Sequence, residues 1–182
     1  MGKVVLLGGN ARSGKTTVSY ELLKHGYKII NFDDLNTYLE SGLGIIFDEL
    51  SKEQQFLLFE TVINKAIEES QTEDIHLCSD MYDYLPSDVI KLKNKDDLKI
   101  YFLAYPNCTK EQIKYNVVHY AKKTDWIAQV NETYLEKCVD RFFERNKLLQ
   151  DECQEYDMKL IDTKLGQERV KILDELVISL LN

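Results

Sequence analysis

Residues 9–16 combine glycines, a lysine and a hydroxyl in the spacing of a loop that binds polyphosphate. They match G-x-x-x-x-G-K-[ST] without a gap and are Gly9, Asn10, Ala11, Arg12, Ser13, Gly14, Lys15 and Thr16. In such a loop the backbone N–H groups turn inward to form an anion nest, and glycine permits the backbone angles that this needs. We expect Lys15 to reach the β- and γ-phosphates and the Thr16 hydroxyl to ligate Mg²⁺. Thr17 is placed to bond the α-phosphate.

The sequence on both sides of the loop supports this interpretation. The apolar run at residues 4–7 is typical of a short buried strand, and Val18, Leu22 and Leu23 follow the loop at helical spacing. A strand, a glycine-bounded loop and a helix in this order form the context that the motif requires. The helix adds unpaired N–H groups at its amino terminus. The alternative is a Gly-rich turn that matches by chance, and the two flanks argue against it. The sequence therefore predicts a nucleoside triphosphate site.

Two aspartates are candidates for the chemistry beside the triphosphate. Asp33 follows the run KIINF, which we interpret as a second strand adjacent to the strand that leads into the loop. A carboxylate there can face Mg²⁺ and can also orient an acceptor hydroxyl and take its proton. Asp80 ends a third strand, where related folds keep a carboxylate that holds the hydration shell of Mg²⁺ or the acceptor, and a plain loop aspartate is the alternative. Asp33 and Asp34 have the alternative role of capping the helix that begins at Leu35.

Phosphoryl transfer also needs positive charge around the migrating group. The chain has only four arginines: Arg12, Arg141, Arg145 and Arg169. Arg141 and Arg145 are four residues apart on a predicted helix, so their side chains share a face in the segment where we expect a lid. The alternative for this pair is ion pairing on a solvated helix with Asp140, Glu144 or Glu152.

Five apolar runs of strand length alternate with amphipathic segments of helical period. The strands are predicted at about residues 4–8, 28–32, 75–79, 98–104 and 158–162. Helices fill the intervals, and two of them open with capping boxes, Ser51 with Gln54 and Thr109 with Gln112. Gly42 and Gly44 predict a break and a mobile stretch over residues 41–48. The alternation predicts an α/β fold, a three-layer sandwich with a five-stranded parallel sheet and a helical lid.

In such a sheet, ligands collect at the carboxyl ends of the strands. This rule brings the glycine-bounded loop, Asp33, Asp80 and the turns after the fourth and fifth strands to one edge. Tyr82 and Tyr84 lie beside Asp80 and are therefore the aromatic candidates for stacking on a base, with packing in the core as the alternative.

Composition limits the class of protein. At 182 residues, with 44% hydrophobic and 30% charged residues, the chain is typical of one globular domain, predicted to span residues 1–182. The net charge of −8 argues against binding long nucleic acid. The chain lacks the roughly 20-residue apolar run of a membrane span, so we expect a cytoplasmic protein without a membrane partner. The four scattered cysteines are interpreted as reduced, mostly buried side chains.

The loop GNARSGKTT, followed by INFDDL, resembles the small P-loop kinases, a group that includes nucleoside monophosphate kinases, shikimate kinase and the kinase domain of phage polynucleotide kinase. The resemblance covers nearly the whole chain, although only the loop is a specific motif. It implies ATP as phosphoryl donor, Mg²⁺, a lid near residues 119–145, and an acceptor held by Asp33. It also implies that the loop after the fifth strand, with Thr163, Lys164 and Leu165, lies against the adenine.

The sequence departs from this group at two places. The region around Trp126 has no arginine, and the D-G-[FY]-P-R pattern of nucleoside monophosphate kinases is missing after the third strand. We therefore expect a kinase that phosphorylates a small molecule, with a hydroxyl as the first expectation for the acceptor. A nucleoside or nucleotide kinase is the alternative enzyme. An NTP-driven switch acting on a protein partner is the alternative from another class, and IHLCSD is a poor match to its acidic motif. The oligomeric state is left open.

Overall fold

Strands and helices alternate along the chain as its apolar pattern predicts. A computed structural model describes residues 2–73, 76–81, 84–121 and 126–182, and the side chains of residues 78–80 and 126 are outside the described part. The strands are β1 (Lys3–Gly9), β2 (Lys28–Asn31), β3 (His76–Asp80), β4 (Leu98–Ala104) and β5 (Lys159–Asp162). The helices are α1 (Lys15–Lys24), α2 (Phe32–Leu43), α3 (Lys52–Thr72), α4 (Pro86–Val89), α5 (Lys110–Tyr120), α6 (Glu132–Glu155) and α7 (Gln167–Leu181).

The strands form one parallel sheet in the order β2-β3-β1-β4-β5, which confirms the predicted fold class. The prediction that β2 is adjacent to β1 is wrong, because β3 lies between them. Right-handed crossovers that run in opposite directions place their helices on opposite faces of a sheet. The chain leaves β1 through α1 and returns from β2 through α3, so β3 fills the position between the two earlier strands.

The residues of β1 alternate between two cores, one on each face of the sheet. Val4 and Leu6 pack into a core with α3 and the carboxyl-terminal half of α6, whereas Val5 and Leu7 pack into a core with α1 and α7. All four side chains are at most 3% exposed. Each fully buried side chain of this kind stabilises the fold by about 1.5–3 kcal/mol. The central position of β1 fixes the place where the loop at residues 9–16 leaves the sheet.

The predicted helix starts are confirmed at both capping boxes. Ser51 accepts a hydrogen bond from the Gln54 backbone N–H, and the Gln54 side chain accepts one from the Ser51 N–H. Thr109 and Gln112 make the same reciprocal pair at the start of α5. Each box satisfies N–H groups that a helix cannot pair internally.

Helix α2 differs from its prediction at both ends. It begins at Phe32, and its cap is Asn31, whose Oδ1 accepts from the Asp33 and Asp34 N–H groups. The aspartates therefore lie in the first turn instead of preceding the helix. The predicted break at Gly42 is also wrong, because the helix continues to Leu43 and ends at Gly44, a left-handed carboxyl cap with φ 68°.

Helices α5 and α6 pack together beside the carboxyl end of β4 around a third cluster that includes Tyr105, Ile113, Val117, Val139 and Phe142. Lys110 pairs with Asp140 at 2.6 Å, and Lys114 pairs with Glu132 and Glu136 at 2.5 Å. The predicted lid, residues 119–145, contains the end of α5 and the first half of α6. Residues 122–125 of this segment lie outside the described part, so the lid remains a prediction.

Three cysteines are described, and all three are free thiols. Cys138 and Cys153 are buried and Cys108 is half-buried, as the sequence predicted for most of them. Burial raises the pKa of each thiol, to about 12 for Cys153. These thiols therefore stay protonated at neutral pH. Among the described helices, none has the length and apolar character of a membrane span.

Candidate active site

The glycine-bounded loop leaves β1 in a conformation that depends on two glycines. Gly9 has φ 133°, and a Cβ on it would lie 2.1 Å from the Leu103 carbonyl oxygen of β4. Gly14 has φ 102°, and a Cβ there would lie 2.5 Å from the Leu173 side chain of α7. Both angles lie in the region that L side chains rarely adopt. The backbone can therefore curl tightly enough to direct its N–H groups inward.

Hydrogen bonds inside the loop hold Lys15 in place. Lys15 is 8% exposed, and its Nζ donates to the Asn10 carbonyl oxygen at 3.0 Å. The same carbonyl accepts from the Ser13 hydroxyl at 2.8 Å. The Asn10 side chain is also buried. Its amide nitrogen donates to the Phe142 carbonyl of α6 at 2.7 Å, and its amide oxygen accepts from the Ala11 N–H. The ammonium group is thus held against the backbone of the loop.

A second set of contacts anchors the outer side of the loop, and the sequence did not predict it. The Tyr105 hydroxyl donates to the Ala11 carbonyl at 2.8 Å. Arg169 of α7 donates to the Arg12 carbonyl at 2.8 Å, and the Arg12 guanidinium donates to the Tyr120 carbonyl at the end of α5. Arg12 itself has φ 58°, a left-handed conformation uncommon for a side-chain-bearing residue. These contacts fix a strained backbone from outside.

Arg169 brings a further positive charge to the loop. Burial first, and then the neighbouring Arg12 guanidinium, lowers the pKa of Arg169 below its usual value. Two guanidinium groups held this close repel each other. An anion bound in the loop would relieve that repulsion. Arg169 is therefore a candidate site residue that was recognised only as one of four arginines in the sequence.

Two threonines follow the loop in the first turn of α1. Thr16 and Thr17 are both exposed. β3 runs beside β1, with Asp80 level with Leu7, so the backbone of Asp80 reaches the same edge as the loop. A hydroxyl and a carboxylate are the oxygen ligands that Mg²⁺ accepts alongside phosphate oxygens. The positions of Thr16 and Asp80 fit such an ion, although the Asp80 side chain is outside the described part.

Asp33 lies farther from the loop than the sequence predicted. It is exposed in the first turn of α2, and β3 separates its strand from β1. Crossovers leave β1 and β3 on opposite faces, so the crevice between them is the switch point where such sheets bind ligands. Asp80 ends β3, which forms one side of this crevice. Asp33 follows β2, which is one strand farther from it. A position one strand away leaves room for an acceptor between Asp33 and the phosphates.

Arg141 and Arg145 lie on α6 one turn apart, as predicted. Arg141 is exposed and Arg145 is half-buried. Their helix contacts the loop through Phe142, whose carbonyl accepts from Asn10. Of the three acids suggested as alternative partners, Asp140 pairs with Lys110, Glu144 pairs with Lys147, and Glu152 accepts from the Ser87 N–H. The structure thus places both arginines on the helix beside the loop, while their role remains a prediction.

On the other side of the loop, a cavity of about 670 Å³ lies between α5 and the turn that follows β5. Lys164 and Leu165, which the resemblance places against the adenine, line this cavity. Thr163 does not line it, because its side chain is fully buried and its hydroxyl donates to the Ala104 carbonyl at 3.1 Å. Thr163 follows β5 directly, and its side chain links the end of β5 to β4, so its role at a nucleotide stays a prediction.

Tyr84 does not serve as a stacking platform for a ligand. It is 5% exposed, and its ring stacks on Phe59 with centroids 4.0 Å apart. Phe32 and Phe47 pack edge-on against it. Its apolar ring belongs to the core beneath α2 and α3, which was the alternative in the sequence reading. Tyr82, the other aromatic candidate, lies outside the described residues.

Comparison of the whole chain with solved structures gives the same architecture. Shikimate kinase from Bacteroides thetaiotaomicron matches with a TM-score of 0.55 at 17% identity, covering 99% of both chains. A gluconokinase from Sinorhizobium meliloti 1021 matches with a TM-score of 0.54 at 17% identity, covering 99% of this chain and 95% of the other. Dephospho-CoA kinase from Campylobacter jejuni matches with a TM-score of 0.54 at 13% identity, covering 98% and 99%.

The chain has the fold of the small P-loop kinases. No protein-family model matches the sequence. No curated protein matches it in sequence either. The likeness therefore rests on the architecture, and the expected resemblance is confirmed at that level.

Within this P-loop kinase fold, the residues missed by sequence reasoning are those that act across long separations. Tyr105 contacts the loop from 94 residues away and Arg169 from 157 residues away. Tyr105 follows β4 at the ligand edge, so its place in the chain pointed to it. For Arg169, nothing in the spacing of the sequence indicated the loop as its partner.

Proposed function

We propose that the protein is an ATP-dependent kinase that transfers the γ-phosphate to a hydroxyl of a small molecule. The observation that carries the proposal is the loop geometry, in which Lys15 is buried and hydrogen-bonded to a loop whose backbone requires two glycines. The P-loop kinase fold supports it, since the similar structures include a shikimate kinase and a gluconokinase. By their names, these neighbours act on small molecules.

Different residues would bind the phosphates, hold Mg²⁺ and activate the acceptor. Backbone N–H groups of residues 10–16 and Lys15 bind the β- and γ-phosphates. Thr16 and Asp80 would hold Mg²⁺, which neutralises phosphate charge when bound. Asp33 orients the acceptor hydroxyl and accepts its proton.

The acceptor oxygen forms a bond to the γ-phosphorus while the bond from that phosphorus to the bridging oxygen breaks, and ADP leaves with the electron pair. Arg141 or Arg145 stabilises the charge on the migrating group, because both lie on the helix that contacts the loop.

The test is product formation with purified protein, Mg·ATP and a panel of polyols, sugar acids, hydroxy acids and nucleosides. A new phosphate ester seen by phosphorus NMR, together with ADP release, supports the kinase. Replacing Lys15 with Ala should lower turnover by about 10²-fold or more while the circular dichroism spectrum is unchanged. Lys24→Ala, in the same helix but exposed and paired with Glu21, is the matched control. Unchanged turnover in Lys15→Ala would refute the assigned role.

A further inference from the structure

One turn of α6 is held by two hydrogen bonds that lead to the phosphate-binding loop. The Phe142 carbonyl accepts from the Asn10 side chain of the loop at 2.7 Å. Four residues later, the Asn146 side-chain oxygen accepts from the Tyr105 backbone N–H at 3.1 Å. Residues four apart lie one above the other on a helix, so both bonds hold the same turn of α6.

Tyr105 connects the second of these bonds to the loop. It follows β4 directly, and its hydroxyl donates to the Ala11 carbonyl at 2.8 Å. Ala11 is the neighbour of Asn10 in the loop, and its N–H donates to the Asn10 side-chain oxygen. The hydrogen bonds therefore form a closed ring that runs from the loop to α6 and back. Four residues of this ring are at most 3% exposed: Asn10, Tyr105, Phe142 and Asn146.

Asn146 is the one amide among the buried residues of α6. The other buried residues of this helix are aliphatic, aromatic or cysteine side chains. A buried amide weakens a core unless it is hydrogen-bonded, so an apolar side chain would pack at this position at lower cost. The amide instead provides the acceptor for the Tyr105 N–H. The ring is thus built with a polar group where packing alone calls for an apolar one.

Arg145 lies in the turn that the ring holds. It is half-buried, whereas Arg141, one turn earlier, is exposed. Arg145 precedes Glu152 by seven residues, so the two lie on one flank of α6. Glu152 accepts from the Ser87 N–H of α4, and α4 follows β3, which forms one side of the crevice beside the loop. Arg145 is therefore on the flank of α6 that faces the proposed site of phosphoryl transfer.

The opposite flank of α6 faces α5. Asp140 pairs with Lys110 of α5, and Glu136 pairs with Lys114 of the same helix. The two flanks therefore differ in charge as well as in what they contact. Acids on one flank bind the lysines of α5, and Arg145 brings positive charge to the flank near β3.

We propose that Asn146 is a positioning residue, which together with Asn10 sets the place of Arg145 beside the migrating phosphoryl group. The proposal rests on the proposed function, because it takes the triphosphate to be bound in the loop. It also assigns the stabilising charge to Arg145 instead of Arg141. A guanidinium stabilises a transition state best when it is held in place beforehand, since no rearrangement is then needed during the reaction. A shift of this turn would therefore lower kcat and leave the binding of the triphosphate intact.

The alternative role for Asn146 is purely structural. Its amide would then serve only to satisfy the Tyr105 N–H beyond the end of β4, and its effect on kcat would not depend on Arg145. A double-mutant cycle separates the two roles, because residues that act through one another have non-additive effects, whereas independent residues have additive ones.

The test measures kcat as ADP release, with the acceptor found in the panel or with water, and measures ATP affinity by calorimetry. Asn146→Ala should lower kcat about tenfold and leave ATP affinity within about twofold of the wild type. In an Arg145→Ala background the same change should have no further effect, whereas in an Arg141→Ala background the loss should persist. Asn146→Asp keeps an oxygen for the Tyr105 N–H and should recover most of kcat. Gln150→Ala, an exposed amide one turn along α6, is the control.

Tyr105→Phe tests the same ring with a conservative change. It removes only the hydroxyl bond to Ala11, so kcat should fall less than in Asn146→Ala, and the fall should again vanish in the Arg145→Ala background. Melting temperatures, measured without nucleotide, show whether each variant is folded.

The results that would contradict the proposal are distinct from those that would contradict the kinase function. Losses of kcat that multiply between Asn146→Ala and Arg145→Ala overturn the positioning role, as does a wild-type kcat in folded Asn146→Ala. A loss of ATP affinity with kcat unchanged also overturns it. A wild type that binds no Mg·ATP at millimolar concentration, or that releases no ADP with any acceptor, water included, overturns the proposed function itself.

Discussion

Around the phosphate-binding loop, backbone groups are held by buried partners, whereas at the start of α2 the polar side chains face solvent. Gly9 lies against the Leu103 carbonyl, and Lys15 and Asn10 are buried and hydrogen-bonded inside the loop. Asp33 and Asp34, at the proposed acceptor side, are exposed, and their backbone N–H groups donate to the Asn31 side chain. One side of the site is built before any ligand arrives. The other presents side chains whose arrangement can change with the acceptor.

This difference corresponds to what each side would have to recognise. A triphosphate tail is the same in every nucleotide, so a rigid cradle of backbone donors can bind it in advance. An acceptor differs from one small kinase to another, and exposed side chains on a helix end are easily varied without disturbing the fold. The following predictions test this contrast.

The largest effect is expected at Gly9. Replacing Gly9 with Ala puts a methyl group 2.1 Å from the Leu103 carbonyl at φ 133°, so the loop cannot keep its shape. We expect loss of nucleotide binding and a free energy of unfolding lowered by about 3 kcal/mol or more. Gly44→Ala is the matched change on the acceptor side, where φ is 68° but no atom lies within 4 Å.

Gly44→Ala should lower the free energy of unfolding by only about 1 kcal/mol and leave nucleotide affinity unchanged. Denaturant unfolding and calorimetry measure both variants. Equal losses of stability at Gly9 and Gly44 would contradict the idea that the loop is the more constrained of the two regions.

The second prediction concerns turnover. Asp33→Asn should lower kcat by about 10²-fold or more while leaving the affinity for ATP unchanged, because the carboxylate acts on the acceptor. Asp34→Asn is the control, since Asp34 is the next residue in the same exposed turn and shares the Asn31 cap. A steady-state assay with the acceptor found in the panel measures both. If ATP affinity falls and kcat holds in Asp33→Asn, Asp33 is a metal ligand or a structural residue.

The loop at Gly9 and the turn at Asp33 also differ in how well the sequence alone predicted them. The loop was predictable because its glycines, lysine and threonine act through consecutive residues, and α5 because its capping box is local. The order of the strands was not predictable, since nothing in the run KIINF shows whether β3 will pair between β2 and β1. A local motif can be recognised from adjacent residues, but which strands are neighbours in the sheet depends on the topology of the whole chain.

The contacts that hold the loop from outside show the same limit. Tyr105 and Arg169 meet the loop only because β4 ends and α7 begins beside it. Asn116 likewise looks like any polar residue of a helix in the sequence, and only the structure shows that it is buried and lines a cavity. Helical spacing predicted which residues share a helix, but not which cavity they would line.

Arg169 gives a smaller expected effect on the loop side. Arg169→Ala removes the hydrogen bond to the Arg12 carbonyl and one positive charge, so we expect ATP affinity to fall by about tenfold with little change in kcat. Arg169→Lys keeps the charge and should recover part of the loss, with the rest reflecting the lost guanidinium geometry. Lys171→Ala, on the same helix and paired with Glu175, is the control. A change confined to kcat would contradict a positioning role.

The smallest effect compares the two helix caps. Asn31 caps α2 at the acceptor side, and Asn131 caps α6 by accepting from the Tyr134 N–H at 2.9 Å. Each change to Ala should lower the free energy of unfolding by about 1 kcal/mol, because each frees N–H groups at a helix start. Their effects on activity should differ. Asn31→Ala loosens the turn that carries Asp33 and should raise the KM for the acceptor, whereas Asn131→Ala should leave that KM unchanged. If both variants change it equally, the turn at Asp33 does not belong to the acceptor site, and the contrast between the two sides of the molecule fails at its acceptor half.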